Sequence, residues 1–535
     1  MRMKKILTIL AVSAVSAVSC TWNYLDYNTD PYSISGEAMS RNGYNVAAAL
    51  NGAASAVIST DVNTCQFTDC LLGGPMGGYY ATTGRFDNTI DNYNPTNDWT
   101  RVLMVSDRII PTLYSNLAQL RTVGDPIVDA IGKIIKVASM SRITDTYGPI
   151  PYTQIGVDGK IEVAYDSQKV VYDAMFKDLE DAIAVLYENR LGGIAASADY
   201  IYGGSPVAWC KFANSLKLRL AMRIVYADRA LAQQKAEEAV AHEIGVFTSN
   251  ADNARITSRS FGSAGNPIYV SVKYNEPQGC STGGDTHVAA DIILYMNGYN
   301  DPRMSAYFIE SEWEGIPYVG MRRGIQIPAL GTVGRKYSGV KITKTDPVQW
   351  MNAAEVAFLK AEAAAVFGFN MGAGTAKDFY EEGIRLSFDQ WGVAGADAYI
   401  ADAVSLPAAY VDPAGNNSYS ARPTELTVAW DDAATPAQMQ ERIIIQKWIA
   451  NFNIGNEAWA DYRRTGFPHL IPATDEGNKS GGIVNSALGA RRMPYPQEER
   501  TTNATNYNYA VQNLLRGTDN MATRLWWDCN PAVKE

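Results

Sequence analysis

Histidine is scarce in this sequence of 535 residues, and the usual motifs of catalytic sites are missing from it. The three histidines, His242, His287 and His469, form no His-Glu-x-x-His zinc motif. The stretch Gly262–Gly265 lacks the first glycine of a nucleophile elbow, and no Walker-type phosphate loop occurs. We therefore expect a protein that is not an enzyme and that has no catalytic residue, metal ligand or cofactor.

Positive charge is also in short supply. There are 46 lysine and arginine residues against 56 acidic residues, which gives a net charge of -10. An acidic surface disfavours nucleic acid and anionic lipid, because both bind through basic patches. Beyond the N-terminus, no apolar stretch has the roughly 20 residues that a membrane-spanning helix needs. We expect no nucleic-acid partner and no spanning helix in the body of the chain.

Cysteine is rare, with six residues in all. Five of them follow Cys20, so an exported chain would keep at least one unpaired thiol. Cys65 and Cys70 are close in sequence. They form either a local disulfide or two separate buried thiols, and the sequence leaves both alternatives open.

The first residues have the pattern of an export signal. Lys4 and Lys5 precede an uncharged stretch over residues 6–18, which is too short to span a bilayer comfortably. Small residues then lead to Cys20, as in the lipobox of bacterial lipoproteins, where the cysteine becomes an acylated N-terminus. We predict a signal peptide over residues 1–19 and a lipid anchor, such as palmitate, on Cys20. The alternative is an ordinary signal peptide followed by a chance cysteine.

Apolar residues recur every three or four positions in several segments, which predicts amphipathic helices. These segments are 43–58, 98–119, 126–144, 167–188, 205–227, 229–240, 352–367, 375–391 and 436–452. Ser167 is the predicted cap of its helix, and Pro111 is a predicted kink. Because the helices come in pairs with short connections, we predict a mainly α fold with a tetratricopeptide-like helix-pair scaffold. Residues 20–535 are expected to form a single domain.

Three long irregular segments separate the predicted helices, near 73–97, 261–334 and 394–435. They are rich in glycine and aromatic residues, and the whole chain has 31 tyrosines and 11 tryptophans. Long loops in compact domains are usually functional or disordered, and disorder is unusual where aromatic residues are dense. We interpret the segments as a shaped, aromatic-rich surface carried by the helices.

Short motifs along the chain resemble those of the SusD/RagB family, in the family's order. The most specific is Trp209–Arg219. Others lie at 25–31, 145–152, 165–168, 301–304, 354–363, 446–450, 457–466, 491–496 and 526–528. Each motif alone is weak, but the ordered set resembles the SusD-like nutrient-binding lipoproteins of Bacteroidetes over almost the whole mature chain. Polar motif residues such as Asn214, Arg219, Arg463 and Arg464 are predicted to tie the frame together, because buried polar groups need partners.

The resemblance implies a SusD-like fold in an outer-membrane lipoprotein that faces outward from the cell surface. It also implies that the protein captures an oligosaccharide, such as starch, or a peptide, and delivers it to a TonB-dependent SusC-type transporter. One alternative is a surface glycoside hydrolase, since sequence does not give the distance between two carboxylates. Another is a helical-repeat scaffold that binds only proteins.

The candidate binding residues are loop-borne side chains suited to sugars. Aromatic rings can stack on sugar faces, and polar side chains can bind the hydroxyl groups. The predicted ligand-binding residues are Tyr79, Tyr80, Arg85, Asn92, Trp99, Trp313 and Tyr318. The alternative for each aromatic residue is a loop anchor that packs inward. The acidic residues of the loops lack EF-hand spacing, so a calcium site has no support.

Overall fold

The computed structural model describes residues 43–534, except 85–88, 102–103, 105–108, 157–161, 277–279 and 328–332. The predicted signal peptide, Cys20 and Arg85 lie outside the described residues. Residues 46–535 form one compact unit, and the account below concerns it. That residues 20–535 make one domain stays a prediction.

The described residues form mostly helices, which we number in chain order. They are α1 (Tyr44–Ala54), α2 (Val62–Cys65), α3 (Gly74–Met76), α4 (Asn97–Thr100), α5 (Ile110–Val123), α6 (Pro126–Tyr147), α7 (Gln168–Glu188), α8 (Pro206–Arg223), α9 (Arg229–Ala241), α10 (Pro267–Val272), α11 (Ala290–Gly298), α12 (Met304–Tyr307), α13 (Ala353–Phe367), α14 (Ala376–Gln390), α15 (Ala396–Ile400), α16 (Pro436–Ala450), α17 (Gly455–Thr465), α18 (Glu499–Thr502) and α19 (Ala504–Asn513). A π-helical segment, Gln66–Gly73, links α2 to α3. Among these described helices, none is both long and apolar enough to cross a membrane.

Six short strands form three antiparallel pairs. The strands are β1 (Tyr80–Thr82), β2 (Ala254–Ile256), β3 (Thr286–Val288), β4 (Phe308–Ile309), β5 (Gly339–Val340) and β6 (Val348–Met351). The pairs are β1 with β3, β2 with β6, and β4 with β5. In the first pair Tyr80 lies opposite Val288. Each pair joins segments that are distant in sequence. The strands therefore connect loop regions to one another and do not form a larger sheet.

Local signals in the sequence set the ends of the main helices. Asp125 accepts a hydrogen bond from a main-chain N–H in the first turn of α6, and Pro126 occupies that turn. Ser167 caps α7 by accepting from the N–H of Val170, which confirms the predicted cap. Gly368 has a φ of 70° and ends α13, because a left-handed residue cannot continue the helix.

Neighbouring helices pack on one another as pairs. In the first half, α5 packs on α6, α6 on α7, α7 on α8, and α8 on α9. In the second half, α13 packs on both α14 and α16. The facing sides contribute to one hydrophobic core that includes Ile134, Leu179 and Trp209. These contacts confirm the mainly α fold with a helix-pair scaffold.

The structure differs from the predicted elements in several places. The predicted helix over 98–119 is two helices, α4 and α5, and Pro111 lies in the first turn of α5 instead of kinking a longer helix. The segment 261–334 is only partly irregular, since it contains α10, α11, α12, β3 and β4. Helix α17 is not among the predicted helices: its sequence is mostly polar, yet all of its residues are buried.

Two glycines allow α17 to cross the π-helical segment closely. A Cβ added to Gly455 would lie 2.4 Å from the carbonyl carbon of Gly73. A Cβ added to Gly73 would lie 2.6 Å from the side-chain nitrogen of Asn456. Larger residues at either position would push the two elements apart, so the crossing requires glycine on both sides.

Candidate functional site

A buried network of ion pairs lies where α8, α13, α16 and α17 meet. Arg219 Nε donates to Glu355 Oε1 at 2.7 Å, and Lys447 Nζ donates to Asp461 Oδ2 at 2.6 Å. These side chains lie inside the helical core, where Lys447 and Glu355 are almost fully buried. The predicted structural role of Arg219 is therefore confirmed: it ties α8 to α13.

Neighbouring charges in this network shift the pKa of Glu457. Burial alone would raise the pKa of Glu457, but Arg223 and Lys447 outweigh burial and hold that pKa well below its ordinary value. Arg223 Nη2 donates to Glu457 Oε2 at 2.5 Å. Glu457 therefore stays ionised with a cation beside it. Such a carboxylate serves the packing of helices better than it serves as a general acid.

Tyr79 and Tyr80 lie in the core, with exposed fractions of 0% and 2%. The hydroxyl of Tyr79 donates to the carbonyl of Trp448 at 2.6 Å, and its ring stacks on that indole with centroids 5.6 Å apart. The ring of Tyr80 meets Phe452 edge-on. Neither ring offers a face to a ligand in this structure, so both match the inward-packed alternative.

Asn92 and Trp99 are also buried. Asn92 Nδ2 donates to the carbonyls of Ile325 and Gly477 at 3.0 and 2.6 Å. Trp99 is 9% exposed and meets Phe67 edge-on, with centroids 5.5 Å apart. Like Tyr79 and Tyr80, these residues are covered by other elements, which sequence spacing does not reveal. That any of the four binds a ligand stays a prediction.

Trp313 and Tyr318 are half-buried and remain within reach of a ligand. Trp313 packs against Tyr337, with ring centroids 6.1 Å apart, and Lys336 Nζ lies 4.9 Å from the indole centroid. Tyr318 packs instead on Phe308, with centroids 6.4 Å apart. That either residue binds a ligand stays a prediction.

A cleft of about 250 Å³ opens where β6 and the C-terminal ends of α14 and α16 come together. Its lining combines one indole, other apolar groups, amides and charges of both signs. We call it the Trp391 cleft, and its residues are Arg255, Ile268, Lys341, Ile342, Asp346, Pro347, Val348, Gln349, Gln390, Trp391, Phe452 and Asn453. The volume is slightly below that of typical small-molecule sites, which begin at about 300 Å³.

Neighbouring elements hold the side chains of this cleft in place. Trp391 follows directly on α14, and its ring packs on Tyr307 with centroids 4.4 Å apart. Gln390 Oε1 accepts a hydrogen bond from Asn253 Nδ2 at 3.0 Å. Asn453 has a φ of 78°, a left-handed conformation that is strained for a residue with a side chain, and its Oδ1 accepts from the hydroxyl of Tyr80. Tyr80 thus supports the cleft from behind without lining it.

Two polar atoms of the Trp391 cleft have no hydrogen-bond partner within the described residues. They are Trp391 Nε1, a donor, and Gln349 Oε1, an acceptor. Buried polar atoms are usually paired, so these two leave hydrogen-bonding capacity unused in the wall of the cleft. The indole beside them adds a flat apolar surface.

None of the residues of this cleft is among the ligand-binding residues predicted from the sequence. Trp391 closes the predicted helix over 375–391, and Gln349 lies outside all three predicted loops. The available signal was the run Gln390-Trp391-Gly392, which places an amide and an indole at a helix end. Helix periodicity does not reveal that signal, because an aromatic residue at the end of a helix fits the same pattern as residues packed on the core.

His287, Cys65 and Cys70 are three potentially reactive side chains, and all of them are buried. His287 is fully buried between Thr83 and Thr282, and burial, with a smaller contribution from Arg335, lowers its pKa to about 3. Cys65 and Cys70 are free buried thiols, and their hydrogen bond, together with burial, raises the pKa of Cys65. In this structure Cys65 and Cys70 are therefore two buried thiols and not a disulfide. In the part of the chain that the structure describes, no three His, Cys, Asp or Glu side chains converge as metal ligands.

The model of the SusD-like family, described as SusD and RagB outer membrane lipoprotein, matches residues 26–528. No curated protein matches the chain. The family match covers nearly all of the sequence and includes both the helix pairs and the Trp391 cleft.

Solved structures are similar over most of the chain. A SusD homolog from Bacteroides uniformis is 58% identical, covers 91% of this chain and 100% of its own, and has a TM-score of 0.88. A SusD homolog from Bacteroides ovatus is 38% identical, with coverages of 91% and 99% and a TM-score of 0.82. A chitin-binding SusD homolog from Flavobacterium johnsoniae is 37% identical, with the same coverages and TM-score.

Proposed function

Because the chain belongs to the SusD-like family of outer membrane lipoproteins, we propose that it captures an oligosaccharide at the cell surface without cleaving it. The observation that carries this proposal is the family match over residues 26–528. The similarity to a chitin-binding homolog from Flavobacterium johnsoniae supports a glycan as the ligand. A peptide remains the second ligand class.

The Trp391 cleft is the proposed contact point for the glycan. Its indole provides a flat apolar face, and Gln349 and Gln390 provide amides for hydroxyl groups. Trp313 and Tyr318 are the loop residues that keep their predicted ligand-binding role. A glycan longer than the cleft would extend beyond it, so affinity should rise with chain length until the bound subsites are filled.

In the proposed arrangement Cys20 carries the lipid, after removal of residues 1–19, and holds the protein on the outer face of the outer membrane. The glycan passes to a TonB-dependent transporter of the SusC type. Purification of the lipidated chain from outer membranes tests this partnership: a large transporter should co-purify with it. Recovery of the chain alone under mild extraction would count against the partnership but leave glycan binding intact.

Calorimetry with a panel of neutral oligosaccharides tests the ligand class. We expect one class to bind and Trp391→Ala to weaken it about tenfold, equivalent to roughly 1.4 kcal/mol. The matched control is Trp430→Ala, because Trp430 is also half-buried but packs on Tyr380 outside the cleft. If no glycan binds, or if Trp391→Ala and Trp430→Ala bind equally well, the proposed site is wrong.

Two measurements separate the alternatives. Release of new reducing ends from a bound glycan would favour a surface glycoside hydrolase. Binding to proteins only, with neither glycan nor peptide retained on an array, would favour a helical-repeat scaffold. The proposal expects retention of a glycan and no increase in reducing ends.

A further inference from the structure

A second cleft, of about 440 Å³, lies beside the chain segment that follows α17. Its walls come from residues 419–423, 465–472, 487–488 and 532–534, together with Leu294 and Tyr462. We call it the His469 cleft. Three of its side chains can carry positive charge, Arg422, His469 and Lys534, and all three are exposed. It is separate from the Trp391 cleft, with which it shares no residue.

The charge of the His469 cleft is opposite to that of the protein. No aspartate or glutamate lines it, whereas the whole chain has a net charge of -10. The nearest carboxylates approach from outside the lining. Glu425 lies 3.2 Å from Arg422 Nη1, and Glu441 lies 4.0 Å from His469 Nδ1. The side chains of Arg422 and Glu425 are both exposed, and an exposed ion pair of this kind is weak, so Arg422 can exchange Glu425 for another anion.

Contacts with neighbouring groups fix the orientation of the His469 ring in the cleft. His469 Nδ1 lies 2.9 Å from the carbonyl of Pro423, which makes Nδ1 the donor and turns Nε2 away from that carbonyl. The imidazole rests on Phe467, with ring centroids 5.1 Å apart. Phe467 is itself half-buried, so part of its ring lines the cleft. An apolar ring thus lies next to the cationic groups.

We propose that the His469 cleft binds a sugar residue that carries a carboxylate or a sulfate. The ring of Phe467 packs on the sugar, while Arg422 and Lys534 pair with the anionic group. The inference rests on the proposed function, because it assumes a glycan ligand, and it adds that part of that ligand is acidic. Exposed ion pairs are screened by salt, so this binding should weaken as ionic strength rises.

The test uses three probes of similar length: oligogalacturonate for a carboxylate, a heparin fragment for a sulfate, and a neutral oligosaccharide. Calorimetry at low salt should show binding of at least one acidic probe. The double variant Arg422→Gln with Lys534→Gln should weaken that binding about tenfold and leave the neutral probe unchanged. The difference between the two acidic probes identifies the anionic group.

The control removes the same amount of charge elsewhere. Lys169→Gln with Lys177→Gln changes two exposed lysines on α7, each paired with an aspartate one turn away. If this control weakens the acidic probe as much as the cleft variant does, the effect is general electrostatics and the cleft proposal is overturned. Failure of both acidic probes to bind the wild-type protein also overturns it. Neither result alters binding of neutral glycans at the Trp391 cleft, so the two proposals fail separately.

Discussion

The guanidinium of Arg464 makes a two-pronged contact with the carboxylate of Glu362. Nη1 donates to Oε1 at 2.6 Å and Nη2 donates to Oε2 at 2.8 Å, with both side chains buried. The pair joins α17 to α13. Parallel hydrogen bonds of this kind fix the relative orientation of two helices as well as their distance.

Removal of one partner should destabilise the protein strongly. Arg464→Met leaves Glu362 charged and buried, which typically lowers the free energy of unfolding by about 3–5 kcal/mol. The control Arg385→Met removes a half-exposed arginine from α14, where the expected loss is below about 1 kcal/mol. Urea unfolding followed by circular dichroism measures both. Similar losses for the two variants would mean that the buried pair does not hold α17.

Stability should fall in acid through Glu457. Its pKa in the folded protein is below the ordinary value of about 4.3, so its stabilising contribution is complete above that pH. The contribution is lost as pH falls below about 4.3 toward the folded pKa. Glu457→Gln should therefore flatten the dependence of the urea midpoint on pH. Burial raises the pKa of the neighbouring Asp145, so the effect of Asp145 on the pH dependence of stability has the opposite sign. The test is therefore the difference in slope between the wild-type protein and Glu457→Gln. An unchanged slope in Glu457→Gln would contradict the assignment.

Trp99 and Trp313 should behave differently when replaced by alanine. Trp99 is packed in the core, so Trp99→Ala should lower the free energy of unfolding by about 3–5 kcal/mol. Trp313 is half-buried at a surface loop, so Trp313→Ala should lower the free energy of unfolding by less than Trp99→Ala does. Because Trp313 is a proposed ligand-binding residue, the same variant should weaken glycan binding. Thermal unfolding and calorimetry on the same samples separate the two effects. A large affinity loss in Trp99→Ala with an unchanged melting temperature would restore Trp99 as a binding residue.

Cys20 should determine where the protein is found. The variant Cys20→Ala should lose the lipid and the attachment to the membrane, yet bind glycan in solution as the wild-type protein does. Mass spectrometry of the mature N-terminus and fractionation of cells measure the two consequences. An unmodified Cys20 in the wild-type protein would leave the ordinary signal peptide as the explanation of residues 1–19.

The sequence predicts the frame of this protein well because local physics sets it. Helices α6, α7, α13 and α14 have polar residues at their starts, and α7 and α14 also have regular apolar spacing; both features act within a few residues. Helix α17 is the exception. It is buried on all sides, so its environment is set by distant elements that no local pattern contains.

The candidate site is harder to predict because exposure depends on tertiary contacts. Tyr79 and Trp313 both lie in aromatic, glycine-rich segments, yet one is fully buried and the other is half-buried. What separates them is the partner that covers the ring, Trp448 in the first case. The Trp391 cleft arises in the same way, where β6 meets the ends of two helices that are remote in sequence.

The pairing of β1 with β3 has a consequence for how the chain reaches this structure. Tyr80 lies opposite Val288, more than 200 positions away, so β1 leaves the ribosome long before its partner exists. The helix hairpins between them close over short separations and can form first, whereas the contact between β1 and β3 waits for loop closure. Tyr79 and Tyr80 stay uncovered longer still, because the rings that pack on them belong to Trp448 and Phe452. Apolar surface left exposed in this way favours aggregation and chaperone binding.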